Sequence, residues 1–196
     1  LDAGYHTYMT GKWHLGYDDD QSPAARGFER SFALLQGGAG HFDDSAMTVD
    51  HDTSWYREDG VRTELPDDFF SSRFYTDKIL EYIRSGEDDD KPFFAYLAYT
   101  APHWPLQAPA ETIDKYRGQY DDGYDALAEK RLMSLEQIGL IERGHIAPEQ
   151  AYPETESWNN LSDEQKKIDA REMETYAAMV DNLSLIHISE PTRRTP

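Results

Sequence analysis

Residues 93–103 read FFAYLAYTAPH, a nearly continuous apolar run that ends in a proline and a histidine. An apolar run of this length without alternation predicts a strand covered on both faces of a sheet. It follows a helical pattern over residues 72–84 and an acidic turn over residues 85–90. Helix, turn and buried strand together predict an α/β fold. His103 falls at the carboxyl end of the strand, which is where ligands bind in such sheets.

Further elements are predicted on either side of this unit. Residues 5–9 are typical of a short strand that leads into a glycine-bounded loop over residues 10–16. Residues 31–35 predict a second strand, followed by glycines. Residues 41–70 are acidic and rich in turn-forming residues, so we expect them to cross the surface without regular structure. Helical patterns also occur at residues 110–116, 124–141 and 162–183.

The composition excludes several classes of function. Lys and Arg total 19 against 38 Asp and Glu in 196 residues, a formal net charge of −19. So acidic a surface repels nucleic-acid phosphates, although a local basic residue can still hold a small anion. No apolar run is long enough to span a membrane. Cysteine is absent, so the sequence has no disulfide, thiolate zinc site or thiol nucleophile.

The first candidate motif is GYHTYMTGKWHLG at residues 4–16. Lys12 and His14 lie two apart after a predicted strand, so in an extended segment both point to the same side. An ammonium and an imidazole together suit a tetrahedral oxyanion. The motif is not a phosphate-binding Walker loop, because Trp13 stands where a Ser or Thr is needed. Spacing alone leaves open a solvated lysine beside a packed tryptophan and an incidental histidine.

The second candidate motif is TAPHWPLQAP at residues 100–109. Its prolines stiffen the loop on both sides of His103, which suits a group that must be held still to donate a proton. Trp104 could form a pocket wall for an aromatic or sugar leaving group. The alternative is that Trp104 anchors the core and His103 merely ends a strand.

Together these motifs resemble the sulfatase family, of the arylsulfatase type. Residues 4–16 match every fixed position of the family's second signature, Gly-Tyr-x-Thr-x-x-x-Gly-Lys-Trp-His-Leu-Gly. Residues 93–109 are similar to the family's strand followed by Pro-His-x-Pro, and Arg-Gly-Phe at residues 26–28 fits the segment between them. The resemblance extends from residue 1 to about residue 183 and is weakest over residues 145–158.

The resemblance implies a fold, a reaction and roles for four residues. The fold is part of an alkaline-phosphatase-like sandwich, with helices on both faces of a mostly parallel sheet, and residues 1–183 belong to the N-terminal catalytic domain. The reaction is sulfate-ester hydrolysis by a formylglycine beside a divalent cation, usually calcium. Lys12 would bridge the sulfate and the formylglycine, and His14 would hydrogen-bond the formylglycine hydroxyl. His103 would contact the sulfate and protonate the leaving group, with Trp104 also binding substrate.

Other parts of the family pattern are not found in this sequence. There is no Cys-x-Pro-x-Arg or Ser-x-Pro-x-Arg from which formylglycine is made, so the nucleophile and the calcium ligands are expected outside this chain. Asp181-Asn182 lies in a segment that resembles the family's helix preceding the metal-ligand strand. No metal ligand is therefore assigned to these two residues. Residues 43–44 and 88–90 are interpreted as solvated acidic turns. The remaining candidate histidines, His6, His51 and His145, are interpreted as satisfied surface or core residues.

The ends of the sequence carry expectations of their own. The chain begins as if inside a fold, with a glycine-stopped helix end and no charged leader, so any signal peptide would lie upstream. Residues 184–196 abandon the helical pattern and are interpreted as a non-native tail. A periplasmic or secreted location is preferred over a cytoplasmic one, and no oligomeric state is predicted. Because the nucleophile is missing, these 196 residues alone are expected to show no sulfatase turnover.

Two other functions remain open at this point. A phosphonate or phosphodiester hydrolase of the same superfamily would use the same pocket for another tetrahedral anion. A non-catalytic relative would bind an anion or glycan without turnover. In the leading hypothesis the ligand is a small-molecule or glycan sulfate ester, with neither nucleic acid nor a membrane as partner.

Overall fold

The structure, a computed structural model, describes residues 3–47, 52–144 and 156–188. His51 and His145 lie outside the described residues. The chain divides into two compact units. One holds residues 1–108 with 179–196, and the other holds residues 109–178.

A five-stranded open sheet forms the centre of the first unit, in the order β4-β3-β2-β1-β5. The central pairs β1–β2 and β1–β5 are parallel, whereas β2–β3 and β3–β4 are antiparallel. The carboxyl ends of β1, β2 and β5 therefore meet at one edge of the sheet. The strands are β1 (His6–Lys12), β2 (Arg30–Leu34), β3 (Tyr56–Glu58), β4 (Val61–Thr63) and β5 (Phe93–Ala98).

Helix α1 (Ser71–Ser85) confirms the helix predicted over residues 72–84. Its apolar face carries Tyr75, Ile79 and Tyr82, which are buried in one cluster with the α1-facing side chains of the sheet, Tyr8 and Phe32 among them. The helix is also joined to the sheet by a buried hydrogen bond, which the Thr10 hydroxyl of β1 donates to the Tyr75 carbonyl oxygen at 2.9 Å. Packing of a helical stripe on alternate strand residues is what an α/β layer requires. The mixed α/β class is thereby confirmed.

Strand β5 corrects the prediction of a strand covered on both faces. Phe94 and Tyr96 are 54% and 45% exposed, and Phe93 is 51% exposed. These side chains are exposed because β5 lies at the edge of the sheet, where β1 is its strand partner in the described part of the chain. Ala95 and Leu97 point to the α1 side and pack there, whereas the alternate residues point to the uncovered face.

The described residues of the segment 41–70 are more ordered than predicted. They include β3 and β4, which form a hairpin that extends the sheet. The hairpin turns at Asp59 and Gly60, whose φ angles of 50° and 86° are both positive, as tight hairpin turns require. Tyr56 and Phe69 from this segment are buried in the main core. Residues 43–44 are exposed, as predicted.

The second unit is helical. Glu174 is buried, accepts a hydrogen bond from the Gly118 N–H at 2.6 Å and pairs with Arg171. The Trp158 ring meets Tyr124 edge-on at 5.3 Å. The helices that begin there are α2 (Ala110–Asp114), α3 (Gly123–Gln137) and α4 (Asp163–Ile188).

The last helix is longer than predicted. Helix α4 reaches Ile188, so the prediction that the helical pattern stops at residue 183 is wrong. Within residues 3–47, 52–144 and 156–188, no helix is long and apolar enough to cross a membrane. Short 3-10 turns occur at Asp19–Gln21, Ala24–Arg26, Glu87–Asp89 and Trp158–Asn160.

A charged cluster joins the starts of the three parallel strands. The His6 ring hydrogen-bonds Glu29 through Nδ1 at 2.8 Å and Asp89 through Nε2 at 2.9 Å, and Lys91 pairs with Asp89 at 3.0 Å. The bond to Glu29, and next that to Asp89, raises the pKa of His6 above its ordinary 6.5. The hydrogen bond from His6 to each carboxylate in turn lowers the pKa of Asp89 to about 2 and lowers the pKa of Glu29. His6 is thus a satisfied surface histidine, as predicted.

Replacing His6 with Gln in the full-length protein should lower stability in a pH-dependent way. The contribution of the cluster is complete above the ordinary carboxyl pKa of 4.5 and below the ordinary histidine pKa of 6.5. It is lost as pH rises through the raised pKa of His6, and as pH falls through the lowered carboxyl pKa values. Thermal unfolding of wild type and variant should therefore differ most between those limits and converge at alkaline pH. A difference in Tm that is constant with pH would contradict this account.

Candidate active site

A cavity of about 420 Å³ opens at the carboxyl edge of the parallel strands. Lys12 ends β1, His14 follows it, and His103 lies beyond the end of β5. The lysine and the two histidines predicted for the site therefore line one cavity, although they come from two segments about ninety residues apart in sequence. The lining residues are Lys12, His14, Tyr17, Gln36, Gly37, Gly38, Ala46, Met47, Ser54 and His103.

His14 reaches the cavity by a different route from the one predicted. Strand β1 ends at Lys12, and His14 has a φ angle of 54°, in the left-handed region that non-glycine residues rarely adopt. The segment is therefore not extended through His14. Gly37 makes room for the ring, because a Cβ there would lie 2.6 Å from the His14 Cε1. Backbone strain of this kind occurs where the surrounding structure needs a side chain in one place.

His103 is held in one orientation by its own loop. Its backbone N–H donates to the Thr100 carbonyl at 3.0 Å, which closes a turn at the end of β5. Its Nδ1 lies 2.7 Å from the Trp104 carbonyl oxygen. Because a carbonyl can only accept, Nδ1 carries the proton, and Nε2 is the ring nitrogen left for a ligand.

Trp104 is not a core anchor. Its side chain is 58% exposed and its ring stacks on that of His103, with centroids 6.0 Å apart and planes 28° from parallel. Trp104 does not line the cavity itself. The Trp104 indole is exposed beside the cavity. That it contacts an aromatic or sugar leaving group stays a prediction.

The cavity offers positive charge in an acidic protein. Lys12 is the one Lys or Arg among the lining residues in the part of the chain that the structure describes. Its half-buried ammonium forms no ion pair with any described residue. A lysine ammonium that lines one cavity with two imidazoles is suited to a small anion, since a partly buried charge is screened less than an exposed one.

Two neutral polar groups in the cavity wall were not predicted. The Gln36 Oε1 accepts the Trp55 N–H at 2.8 Å, which assigns the amide orientation. The Gln36 Nε2 and the Ser54 Oγ are buried and have no hydrogen-bond partner among the described residues. The sequence did carry a signal for this wall, because glycines 37 and 38 follow β2 at the same edge as Lys12.

His41 is the other residue that the sequence did not indicate. Its ring is fully buried and lies between Ser71 and the loop of His103. Burial lowers the pKa of His41, and the bond to the His103 carbonyl only partly opposes this effect. The ring is therefore neutral at physiological pH.

The part of the chain that the structure describes offers no arrangement of residues suited to a cation. Across the described ranges, no group of three or more His, Asp or Glu side chains could hold a metal ion. Asp43 and Asp44 are exposed, and Asp181 and Asn182 lie within α4. The residues of this part of the chain do not fit the calcium site that the resemblance implies.

Fold and site together define a class. A cavity lined by one ammonium and two imidazoles lies at the carboxyl ends of parallel strands, which is where α/β sheets bind their ligands. The Sulfatase family model matches residues 2–184. The chain therefore belongs to the sulfatase family.

Curated relatives agree with this assignment. The chain is 42% identical over 191 residues to an uncharacterized sulfatase of Schizosaccharomyces pombe, covering 94% of this chain and 34% of that protein. It is 41% identical over 184 residues to the arylsulfatase of Klebsiella aerogenes, covering 93% of this chain and 39% of that protein. The chain thus spans between a third and two fifths of the length of these relatives.

Solved structures show the same fold. A Bacteroides fragilis protein described as a sulfatase aligns with a TM-score of 0.53 at 15% identity, over 95% of this chain and 36% of that one. The Ps i-CgsB protein in complex with a neocarrahexaose aligns with a TM-score of 0.52 at 19% identity, over 95% of this chain and 35% of that one. The alkaline-phosphatase-like α/β fold is confirmed.

Proposed function

We propose that the full-length protein containing this chain is a sulfuric ester hydrolase of the arylsulfatase type. The observation that supports it most is that Lys12, His14 and His103 line one cavity at the strand ends. The 41% identity to the Klebsiella aerogenes arylsulfatase points to the same reaction. The activity of the whole protein requires the segments that this chain does not contain.

The nucleophile and the cation are proposed to come from those segments. This sequence has no cysteine and no Ser-x-Pro-x-Arg, and its described residues hold no metal cluster. In the family, formylglycine beside calcium supplies the attacking oxygen and additional positive charge.

Lys12 is proposed to bind the sulfate group. Its ammonium can donate hydrogen bonds to sulfate oxygens and offset the negative charge that grows on them as the ester bond breaks. His14, which lines the same cavity, is proposed to hydrogen-bond the oxygen that attacks sulfur. The left-handed backbone at His14 and the absence of a side chain at Gly37 fix the ring for this contact.

His103 is proposed to protonate the leaving oxygen. Its Nδ1–H is engaged by the Trp104 carbonyl, so the protonated ring donates from Nε2, the nitrogen free to meet a ligand. The exposed Trp104 ring beside it is proposed to pack against the departing aryl or sugar group. The substrates are therefore proposed to be small-molecule or glycan sulfate esters.

The proposal is tested by turnover of the full-length protein on matched esters. We expect hydrolysis of 4-nitrophenyl sulfate with a kcat/KM well above that for bis(4-nitrophenyl) phosphate and for phenylphosphonate esters. A preference for the phosphorus esters would assign the protein to the phosphonate or phosphodiester hydrolases. Binding of sulfate esters without turnover of any of them would identify a non-catalytic relative.

A further inference from the structure

The buried His41 uses both ring nitrogens. Its Nε2 lies 3.0 Å from the backbone carbonyl oxygen of His103, and its Nδ1 lies 2.8 Å from the Ser71 Oγ. Because the carbonyl can only accept, Nε2 carries the proton and donates it there. In the neutral ring Nδ1 is then an acceptor, so the Ser71 hydroxyl donates to it. One tautomer satisfies all three groups.

The backbone of His41 makes two further hydrogen bonds around the same point. Its N–H donates to the Gln107 Oε1 at 2.7 Å, and its carbonyl accepts the Ser71 N–H at 2.8 Å. Gln107 lies on the same loop as His103, four residues further on. His41 therefore holds this loop at two places and connects it to the first residue of α1.

Displacing the buried His41 imidazole would break the hydrogen bonds of its partners. Were the ring removed, the Ser71 hydroxyl would lose its acceptor and the His103 carbonyl would lose its donor, each inside the protein. The His103 carbonyl belongs to the same residue as the exposed imidazole that lines the cavity. A shift of the carbonyl moves that imidazole, and a displacement of about 1 Å can cost about 100-fold in rate.

We propose that His41 is a positioning residue that fixes the His103 loop, and with it the His103 Nε2, against the leaving oxygen of a sulfate ester. The inference rests on the proposed function for its kinetic part. His41 does not line the cavity, so it acts through His103 and touches no substrate.

Two conservative variants of His41 distinguish a role in positioning His103 from a role in filling the core. In His41→Gln the side-chain amide extends to the position of the histidine Nε2 and can still donate to the His103 carbonyl. In His41→Asn the shorter amide matches the Nδ1 position, which keeps the Ser71 contact and loses the one to His103. Both remove the aromatic ring, so both should lower the Tm of the full-length protein to a similar degree.

The kinetic test combines these variants with His103→Ala. We expect His41→Asn to lower kcat on phenyl sulfate, whose leaving oxygen is basic, by about 10- to 100-fold with little change in KM, and His41→Gln to restore most of the loss. In the His103→Ala background, His41→Asn should cause no further decrease, because both changes remove the same positioned group. An equal decrease in both backgrounds would show that His41 acts on stability alone and would overturn the proposal.

A second measurement does not depend on turnover. Nitrogen-15 NMR of histidine-labelled full-length protein, recorded above the ordinary histidine titration range, reports the tautomer of each ring. We expect His103 as the Nδ1–H tautomer in wild type and in His41→Gln, and as a mixture of tautomers in His41→Asn. Unchanged His103 signals in His41→Asn would refute the positioning role. Absence of wild-type turnover with the expected NMR shift would refute the proposed function and leave the role of His41 in place.

Discussion

Replacing Lys12 with Ala in the full-length protein should lower kcat/KM for 4-nitrophenyl sulfate by about 10²- to 10³-fold, the loss typical of one donor to a developing oxyanion. Lys12 is the one Lys or Arg lining the described cavity, so no other basic side chain of the described residues can replace its charge there. Steady-state kinetics of the purified variant measure the effect.

Two control variants make the Lys12 result specific. Lys12→Arg keeps the charge but replaces a compact ammonium with a planar guanidinium, so we expect partial activity between that of Lys12→Ala and wild type. Lys130→Ala removes an exposed lysine of α3 that pairs with Asp122 at 3.2 Å, and should leave the kinetics unchanged. A loss below about tenfold for Lys12→Ala would contradict the anion-binding role.

Replacing His103 with Ala should produce a loss that depends on the leaving group. A proton donor contributes about 10²- to 10⁴-fold when the departing oxygen is basic, and much less when it leaves readily as an anion. We therefore expect a large decrease in kcat/KM for phenyl sulfate and a small one for 4-nitrophenyl sulfate. Across a series of substituted phenyl sulfates, the plot of log kcat/KM against leaving-group pKa should become steeper.

Lys12→Ala is the matched control for this series. Lys12 is proposed to stabilise the sulfate oxygens, which every substrate in the series shares, so its removal should lower all rates by a similar factor. His103→Ala should instead change the slope. Parallel plots for wild type and His103→Ala would mean that His103 donates no proton in the rate-limiting step.

The sequence was sufficient to predict the central parallel layer and the convergence of the main cavity residues. Helix α1 and strands β1, β2 and β5 follow from periodicity and apolar runs. The family resemblance implied that Lys12 and His103 contact the same sulfate, and both line the cavity because parallel strands present their carboxyl ends at one edge. Their catalytic roles remain predictions.

The coverage of a strand could not be predicted from its own residues. The run from Phe93 to Tyr99 is apolar on both faces, yet Phe94 and Tyr96 are exposed because β5 lies at the sheet edge. Position in a sheet depends on which other strands pair with it, and that information is not local. The hairpin of β3 and β4 was a different kind of error. Asp59-Gly60 is a strong short-range hairpin signal, and the surrounding acidic composition obscured it.

The details of the site also depend on non-local contacts. The left-handed conformation of His14 is compatible with Gly37, a residue of another segment, and no pattern within residues 4–16 indicates it. His41 stands alone in the sequence, and its two ring partners are 30 and 62 residues away. Buried polar contacts of this kind are set by tertiary packing, so they are visible only in the structure.

The most direct test of the central claim is a crystal structure of the full-length protein soaked with selenate, a tetrahedral dianion whose selenium is located by anomalous scattering. The account predicts a selenium peak in the cavity, with selenate oxygens within about 3 Å of the Lys12 Nζ and the His103 Nε2. A selenate bound elsewhere, with this cavity free of anomalous signal, would contradict it.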